Sequence, residues 1–216
     1  CSFTQMLHQE STIRKYGMYD KLFTPTVISK RDGTAVGFLM ELQYISVDKP
    51  DNYSASMAEQ ILEPFQNQNT TADKKPNIIV IMNEAFSDLS VLGDFETNED
   101  YMPFLRSLMQ EGTPNTISGY LNVSVLGGNT ANTEFEFLTG NTMAFLPQGS
   151  IPYQQYIKKE LPSLASHLKS LGYQTIAMHP YNSTGWDRNK VYPLLGFDES
   201  YFIRDYKNPE KIRKYV

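Results

Sequence analysis

The stretch Pro76-Asn77-Ile78-Ile79-Val80-Ile81-Met82-Asn83-Glu84-Ala85-Phe86-Ser87-Asp88 sets the reading of the whole chain. Ile78 to Met82 is an unbroken apolar run with four β-branched residues. It lacks the polar alternation of a strand with one wet face, so it predicts a strand covered on both faces of a parallel sheet. Polar side chains follow at once, at the strand's carboxyl end. In open α/β sheets, ligands collect there.

The same texture continues downstream. Tyr101 to Gln110 predicts a helix, with Pro103 in its first turn, Gly112 just past its end, and Phe104, Leu105, Leu108 and Met109 on its buried face. Thr116 to Val125 predicts a strand, and Gly127-Gly128-Asn129-Thr130 leads into a helix over Ala131 to Leu138. Leu161 to Leu171 predicts another helix, with Pro162 early and Gly172 after it, and Tyr173 to Met178 a further strand. Strands alternating with helices imply an α/β fold, a mostly parallel sheet with helices on both faces. We assign residues 76–216 to this unit.

Residues 1–75 read differently, as a segment of short helices. Gly37 to Ile45 predicts a helix packing Phe38, Leu42 and Ile45, and Ser54 to Phe65 one capped by Ser54 with Met57, Ile61 and Leu62 at helical spacing. Gln66 to Lys75 has nothing to bury and reads as a linker. The chain has 216 residues, 24 acidic against 19 Lys and Arg, for a net charge of −5. That balance argues against a general nucleic-acid binder, whose phosphate affinity comes from Lys and Arg. No apolar run approaches the roughly 20 residues a membrane helix needs. A single cysteine, Cys1, makes an internal disulfide impossible and reads as the edge of a longer chain; lipid attachment to an N-terminal cysteine is the other reading.

Three segments place chemistry at the expected strand ends. Glu84 lies two residues past the first strand, Thr130 opens a helix after Gly127 and Gly128, and His179 follows the strand ending at Met178, with Trp186 and Arg188 close behind. A threonine hydroxyl becomes a competent nucleophile on a divalent cation, and the N–H groups of a helix start favour a phosphoryl group on it. Glu84 is a suitable oxygen ligand for such a cation. His179 could bond a phosphate or give a proton, Arg188 could fork onto a phosphate, and Trp186 could wall the pocket. Each has a plainer reading too: an N-cap for Thr130 (with Asn129 or Asn132 equally able to cap), a loop carboxylate for Glu84, a structural His179, a core Trp186, and an ion-paired Arg188.

These segments carry a resemblance. Lys75 to Ser87 looks like the opening strand and metal-ligand glutamate of the lipoteichoic acid synthase family, phosphoglycerol transferases of the sulfatase/alkaline phosphatase superfamily. Gly128 to Gly140 resembles that family's nucleophile segment, with Thr130 at the catalytic threonine, and His179 to Arg188 resembles its substrate-pocket segment. The resemblance implies a sulfatase-like fold with Mn²⁺ or Mg²⁺ on Glu84 and Thr130. His179, Trp186 and Arg188 would lie against the glycerol phosphate. Thr130 would take phosphoglycerol from a phosphatidylglycerol-type lipid head group and pass it to a hydroxyl of a glycolipid or growing polymer. The setting would be the outer face of a bacterial membrane, anchored by upstream helices, with residues 1–75 similar to the membrane-proximal connector that follows such helices. Phosphoethanolamine transfer, a phosphodiesterase or sulfatase-like hydrolysis, and a non-catalytic extracellular binding or sensor domain are the alternatives.

The resemblance is also incomplete. The family's Asp-His metal pair and a further pocket histidine lie downstream of the matched segment, and no histidine follows His179 here. The expectation is a front portion of an extracellular catalytic domain, with an incomplete sheet, weak metal binding and no turnover by these residues alone.

Overall fold

A computed structural model describes residues 3–7, 9–19, 25–42, 45, 47, 49–65, 74–83, 86–125, 129–147 and 149–208. The described residues form a helix-rich α/β arrangement with a small parallel sheet. Near the N-terminus, α1 (Phe3–Leu7), α2 (Glu10–Tyr16), α3 (Pro25–Arg31) and α4 (Thr34–Glu41) gather around Leu7, Ile28 and Met40. Gly37 permits the close approach of α3 and α4, since a Cβ there would lie 3.1 Å from Ile28 Cγ2. That contact sets the rotation of α4. Met40 is buried, whereas Phe38 is 64% exposed and Ile45 lies outside the helix, so the expected Phe38/Leu42/Ile45 face is corrected to Gly37/Met40.

Next, α5 (Ala55–Leu62) is capped as expected, Ser54 Oγ accepting from Met57 N at 3.1 Å. Its apolar positions Met57, Ile61 and Leu62 nonetheless face solvent. The expected linker falls mostly on residues 66–73, outside the described residues.

The expected strands Asn77–Met82 and Thr116–Val125 are not strands among the described residues. Ile79 and Ile81 are 85% and 84% exposed, and Ile117 and Tyr120 are fully open. Strand propensity is realised only where a neighbouring strand takes the backbone groups and a packed layer takes the side chains. No described segment does either here.

Beyond these, α6 (Pro103–Leu108), α7 (Thr130–Thr139), α8 (Pro152–Gln155) and α9 (Leu164–Ser170) lead to β1 (Ile176–Met178), then α10 (Arg188–Leu194) and β2 (Glu199–Tyr201). Pro103 stands in the first turn of α6 as expected, but Phe104 and Met109 are exposed and Met102 is buried instead. Ser163 and Ser166 form a reciprocal capping box that starts α9 after Pro162 rather than at Leu161.

The two strands pair in parallel, Ile176 with Glu199, Ala177 with Ser200 and Met178 with Tyr201. Their register is locked just upstream. Thr175 N and Oγ1 both donate to Asp198 Oδ2, at 2.9 and 3.0 Å, while Asp198 N returns a bond to Thr175 O at 2.8 Å. Ala177 faces the core, and Ile176 and Met178 on the opposite face are uncovered among the described residues. The main core joins Ala131 and Phe135 of α7, Ile151, Tyr153, Ile157, Ala177, Val191, Tyr192, Leu195 and Phe202. Tyr192 is its hub, stacked on Phe202 at 6.0 Å and meeting Tyr153 edge-on at 6.4 Å.

Gly196 closes α10 onto α9 at φ +92, and a Cβ there would stand 2.7 Å from Ser166 Cβ and 2.8 Å from its Cα. Neither atom can swing away. Gly196→Ala is therefore expected to lower stability by about 2 kcal/mol or more. Gly112→Ala has a similar φ of +83 with open space around it, and is expected to cost about 1 kcal/mol. Urea unfolding of both variants checks this; equal effects would show that the α9–α10 approach is not tight.

Candidate functional site

Thr130 is the first helical residue of α7, and Asn129 occupies the cap position in a left-handed conformation, φ 67. The N-cap reading of Thr130 thus passes to Asn129, whose carbonyl accepts from Asn132 N at 2.7 Å. The Asn132 side chain is committed elsewhere, its Nδ2 donating to Ser150 O at 2.9 Å in the core. That bond ties the first turn of α7 to the segment entering α8. Glu84, Gly127 and Gly128 lie outside the described residues.

His179 extends β1 by one rung, its N–H donating to Tyr201 O at 2.9 Å. Its Nδ1 accepts from Tyr181 N at 3.2 Å, so the neutral ring carries its proton on Nε2. Burial lowers the imidazole pKa below its ordinary 6.5, and the Arg188 charge lowers it further. The ring is thus a neutral donor near pH 7, half-buried at the strand's carboxyl end.

Between His179 and α10 the chain makes a tight turn. Gly185 N donates to Asn182 O, Asp187 N to Thr184 O, and Asn189 N to Ser183 O, at 2.9, 3.0 and 2.9 Å. Trp186 and Asp187 follow one another in the left-handed region, φ 55 and 56. A non-glycine residue held there costs on the order of 1–3 kcal/mol, and persists only where surrounding structure over-determines it. Two such residues in succession mark a constrained site. Trp186, half-buried, packs against the main core.

Arg188 is 1% exposed. Its Nη2 donates to Glu134 Oε1 at 2.6 Å, and its Nε lies 3.2 Å from each Glu134 oxygen. Its Nη1 makes a longer bond, 3.3 Å, to Gly185 O. Tyr192 OH also donates to Glu134 Oε2, at 3.2 Å. Tyr153 OH is buried without a hydrogen-bond partner among the described residues, beside the same carboxylate. Burial first, and the Glu134 charge second, push both tyrosine hydroxyls well above their usual range, so both stay protonated. The ion-paired reading of Arg188 is therefore the observed one, but the pair is buried rather than on the surface.

Glu134, Tyr192 and Tyr153 were not among the expected site residues. The signal for the first two was present: Thr130 and Glu134, and likewise Arg188 and Tyr192, are spaced i, i+4 on one helical face. Through Glu134, the helix opened by Thr130 is bound to the turn bearing Trp186 and Arg188, while His179 stands close enough to feel both charges. A cleft of about 430 Å³ opens past the carboxyl ends of both strands, lined by Asn182, Ser183, Thr184, Phe202, Arg204 and Asp205. Among the described residues no group of three or more His, Cys, Asp or Glu could hold a metal ion. Thr130 is the one member of the expected cation-binding pair among the described residues, Glu84 lying outside them.

Residues 76–216 match the Sulfatase family. The chain is 39% identical over 169 residues to a Rhizobium meliloti protein named for cyclic beta-1,2-glucan modification, covering 78% of this chain and 25% of that protein. It is 32% identical over 133 residues to lipoteichoic acid synthase of Staphylococcus saprophyticus, covering 60% of this chain and 20% of that one. The crystal structure of the lipoteichoic acid synthase LtaP from Listeria monocytogenes overlaps 43% of this chain and 22% of its own, at 26% identity and a TM-score of 0.38. The chain thus spans a quarter or less of the length of these relatives. Sulfatase-superfamily members use divalent metal ions. By its match over residues 76–216, the chain belongs to the sulfatase family and is similar to lipoteichoic acid synthases.

Proposed function

We propose that this chain supplies the nucleophile and part of the substrate pocket of a phosphoglycerol transferase acting on the outer face of a bacterial membrane. One observation carries the reading: the helix begun by Thr130 is joined through a buried carboxylate to the strained turn holding Trp186 and Arg188, with a neutral His179 beside them. The similarity to a lipoteichoic acid synthase supports phosphoglycerol as the transferred group.

Thr130 Oγ1 attacks the phosphorus of a phosphatidylglycerol-type head group. A new P–O bond forms to the threonine as the bond to diacylglycerol breaks, and the proton given up by the threonine hydroxyl balances the one taken up by the leaving alkoxide. An acceptor hydroxyl then attacks the same phosphorus and releases Thr130, so one difficult displacement becomes two easier ones. Mn²⁺ or Mg²⁺ on Glu84 and Thr130 would lower the pKa of the attacking hydroxyl. The proton on His179 Nε2 is available to a phosphoryl oxygen, and Trp186 walls the glycerol end. The relative named for cyclic beta-1,2-glucan modification supports a carbohydrate hydroxyl as acceptor, on a glycolipid or polymer.

Thr130→Ala, in the protein expressed from its full coding sequence, is expected to reduce release of diacylglycerol from phosphatidylglycerol vesicles by about a thousandfold or more, with Thr130→Ser retaining part of the activity. Faster turnover of phosphatidylethanolamine vesicles would move the reading to phosphoethanolamine transfer. An unchanged rate in Thr130→Ala would favour a non-catalytic binding domain.

A pH profile tests His179. Because its folded pKa is lowered, the neutral form persists below pH 6.5 and is lost only as pH falls through the lowered value. The linked stability runs the same way, complete above the ordinary pKa and lost on acidification. Protonation at Nδ1 breaks the bond from Tyr181 N that orients the ring, so activity is expected to show an acid limb below pH 6.5 that His179→Gln abolishes while lowering the plateau. An acid limb unchanged by that substitution would remove His179 from the mechanism.

A further inference from the structure

We infer that Glu134 is a positioning residue for phosphate recognition, acting through Arg188. The inference rests on the transfer reading above and adds to it a residue and a division of labour within one guanidinium.

The Glu134 carboxylate holds the Nε and Nη2 edge of Arg188 and also accepts from Tyr192 OH. Arginine is always charged and has no acceptor, so burying it at 1% exposure requires a carboxylate in reach. The side chain of Glu134 is itself only 11% exposed, and the Arg188 side chain 2%. In such surroundings a bidentate pair fixes the plane of the guanidinium as well as its place. The remaining edge is held differently. Nη1 makes only a 3.3 Å bond to the neutral Gly185 carbonyl, in the turn that carries Trp186. An anionic phosphoryl oxygen makes a stronger, charge-assisted bond than a carbonyl does, so it can take that donor from Gly185.

Glu134 has a second link, through the backbone. It lies one turn beyond Thr130 on the same face of α7. Gripping Arg188 therefore sets the distance between the helix start bearing Thr130 and the strained Trp186-Asp187 turn. Helix, guanidinium and turn move as a unit. Glu134 does not touch substrate in this arrangement; it aims the group that does.

A residue that only stabilises the fold would lower the melting temperature and leave kinetics per folded molecule unchanged. Glu134→Gln, Arg188→Gln and the double variant separate the two. They are assayed on phosphatidylglycerol vesicles with the protein expressed from its full coding sequence, at a temperature where circular dichroism shows each fully folded. Each single substitution is expected to raise KM roughly tenfold to a hundredfold with a smaller change in kcat. The double is expected to be no worse than Arg188→Gln alone, because residues acting as a unit are not additive. Glu134→Asp keeps the charge while withdrawing the carboxylate by one methylene, and is expected to raise KM by an intermediate factor. It serves in place of the Gln variant should that one not fold. Multiplying effects in the double, or an unchanged KM in folded Glu134→Gln or Glu134→Asp, would overturn the assignment. Failure of the transfer reading is visible separately, as full activity in Thr130→Ala.

Discussion

A charge that cannot be left alone organises this structure. Arg188 stands at the start of α10 with its guanidinium closed to solvent, and Glu134 is the carboxylate that makes this tolerable. Removing one partner of such a pair leaves an uncompensated charge in a poorly polarisable interior, at a cost of about 3–5 kcal/mol. The intact pair is worth far less as net stability, because both groups gave up hydration to form it. Its contribution is arrangement. Tyr192 donates to the same carboxylate and stacks on Phe202, so the polar centre and the aromatic core share a side chain. Helix α7, the turn through Trp186 and the region just beyond β2 are thereby referred to one another.

That constraint accounts for the backbone beside it. Trp186 and Asp187 in succession at positive φ form a turn that the bulky Trp disfavours, Asp being among the non-glycine residues that enter this region more readily. Asn182, Thr184 and Ser183 carbonyls accept from Gly185, Asp187 and Asn189, Nη1 of Arg188 bonds to Gly185 O, and Trp186 packs against the core. Gly185 is the residue type that fits: a Cβ there would lie 3.0 Å from Tyr181 Cδ1. Contacts on both sides hold the conformation in place.

What the residue pattern revealed follows from how local each feature is. Ser54, Pro103 and the α7 start were legible, because a cap or an N-terminal proline is decided within one turn of helix, whereas the Ser163 cap of α9 was passed over for a start at Leu161. The parallel pairing of β1 with β2 was expected only as a class, since its register depends on Thr175 meeting Asp198 from the far side of a crossover. The apolar run Ile78–Met82 was read as a buried strand, and among the described residues it has no partner. Strand propensity in that run states what the segment can do when paired, and pairing is not a property of the segment.

At the site, the same distinction separates residues from roles. Thr130, His179, Trp186 and Arg188 were picked out by position after predicted strands and by family resemblance. Of those positions, His179 directly follows β1, while Thr130 begins α7 with no strand before it among the described residues. Glu134 was passed over because a glutamate in the second turn of a helix reads as a solvated residue. Its burial is evident only when α10 is brought across α7 and Arg188 needs a counter-charge. The i, i+4 pairs Thr130/Glu134 and Arg188/Tyr192 could have raised it, since each puts a reactive group and an inward polar group on one helical face. Neither pair points to the other in one dimension. A buried cation and a buried anion, each unreasonable by itself, become reasonable together, and that mutual requirement is what ties the helix begun by Thr130 to the turn bearing Trp186 and Arg188.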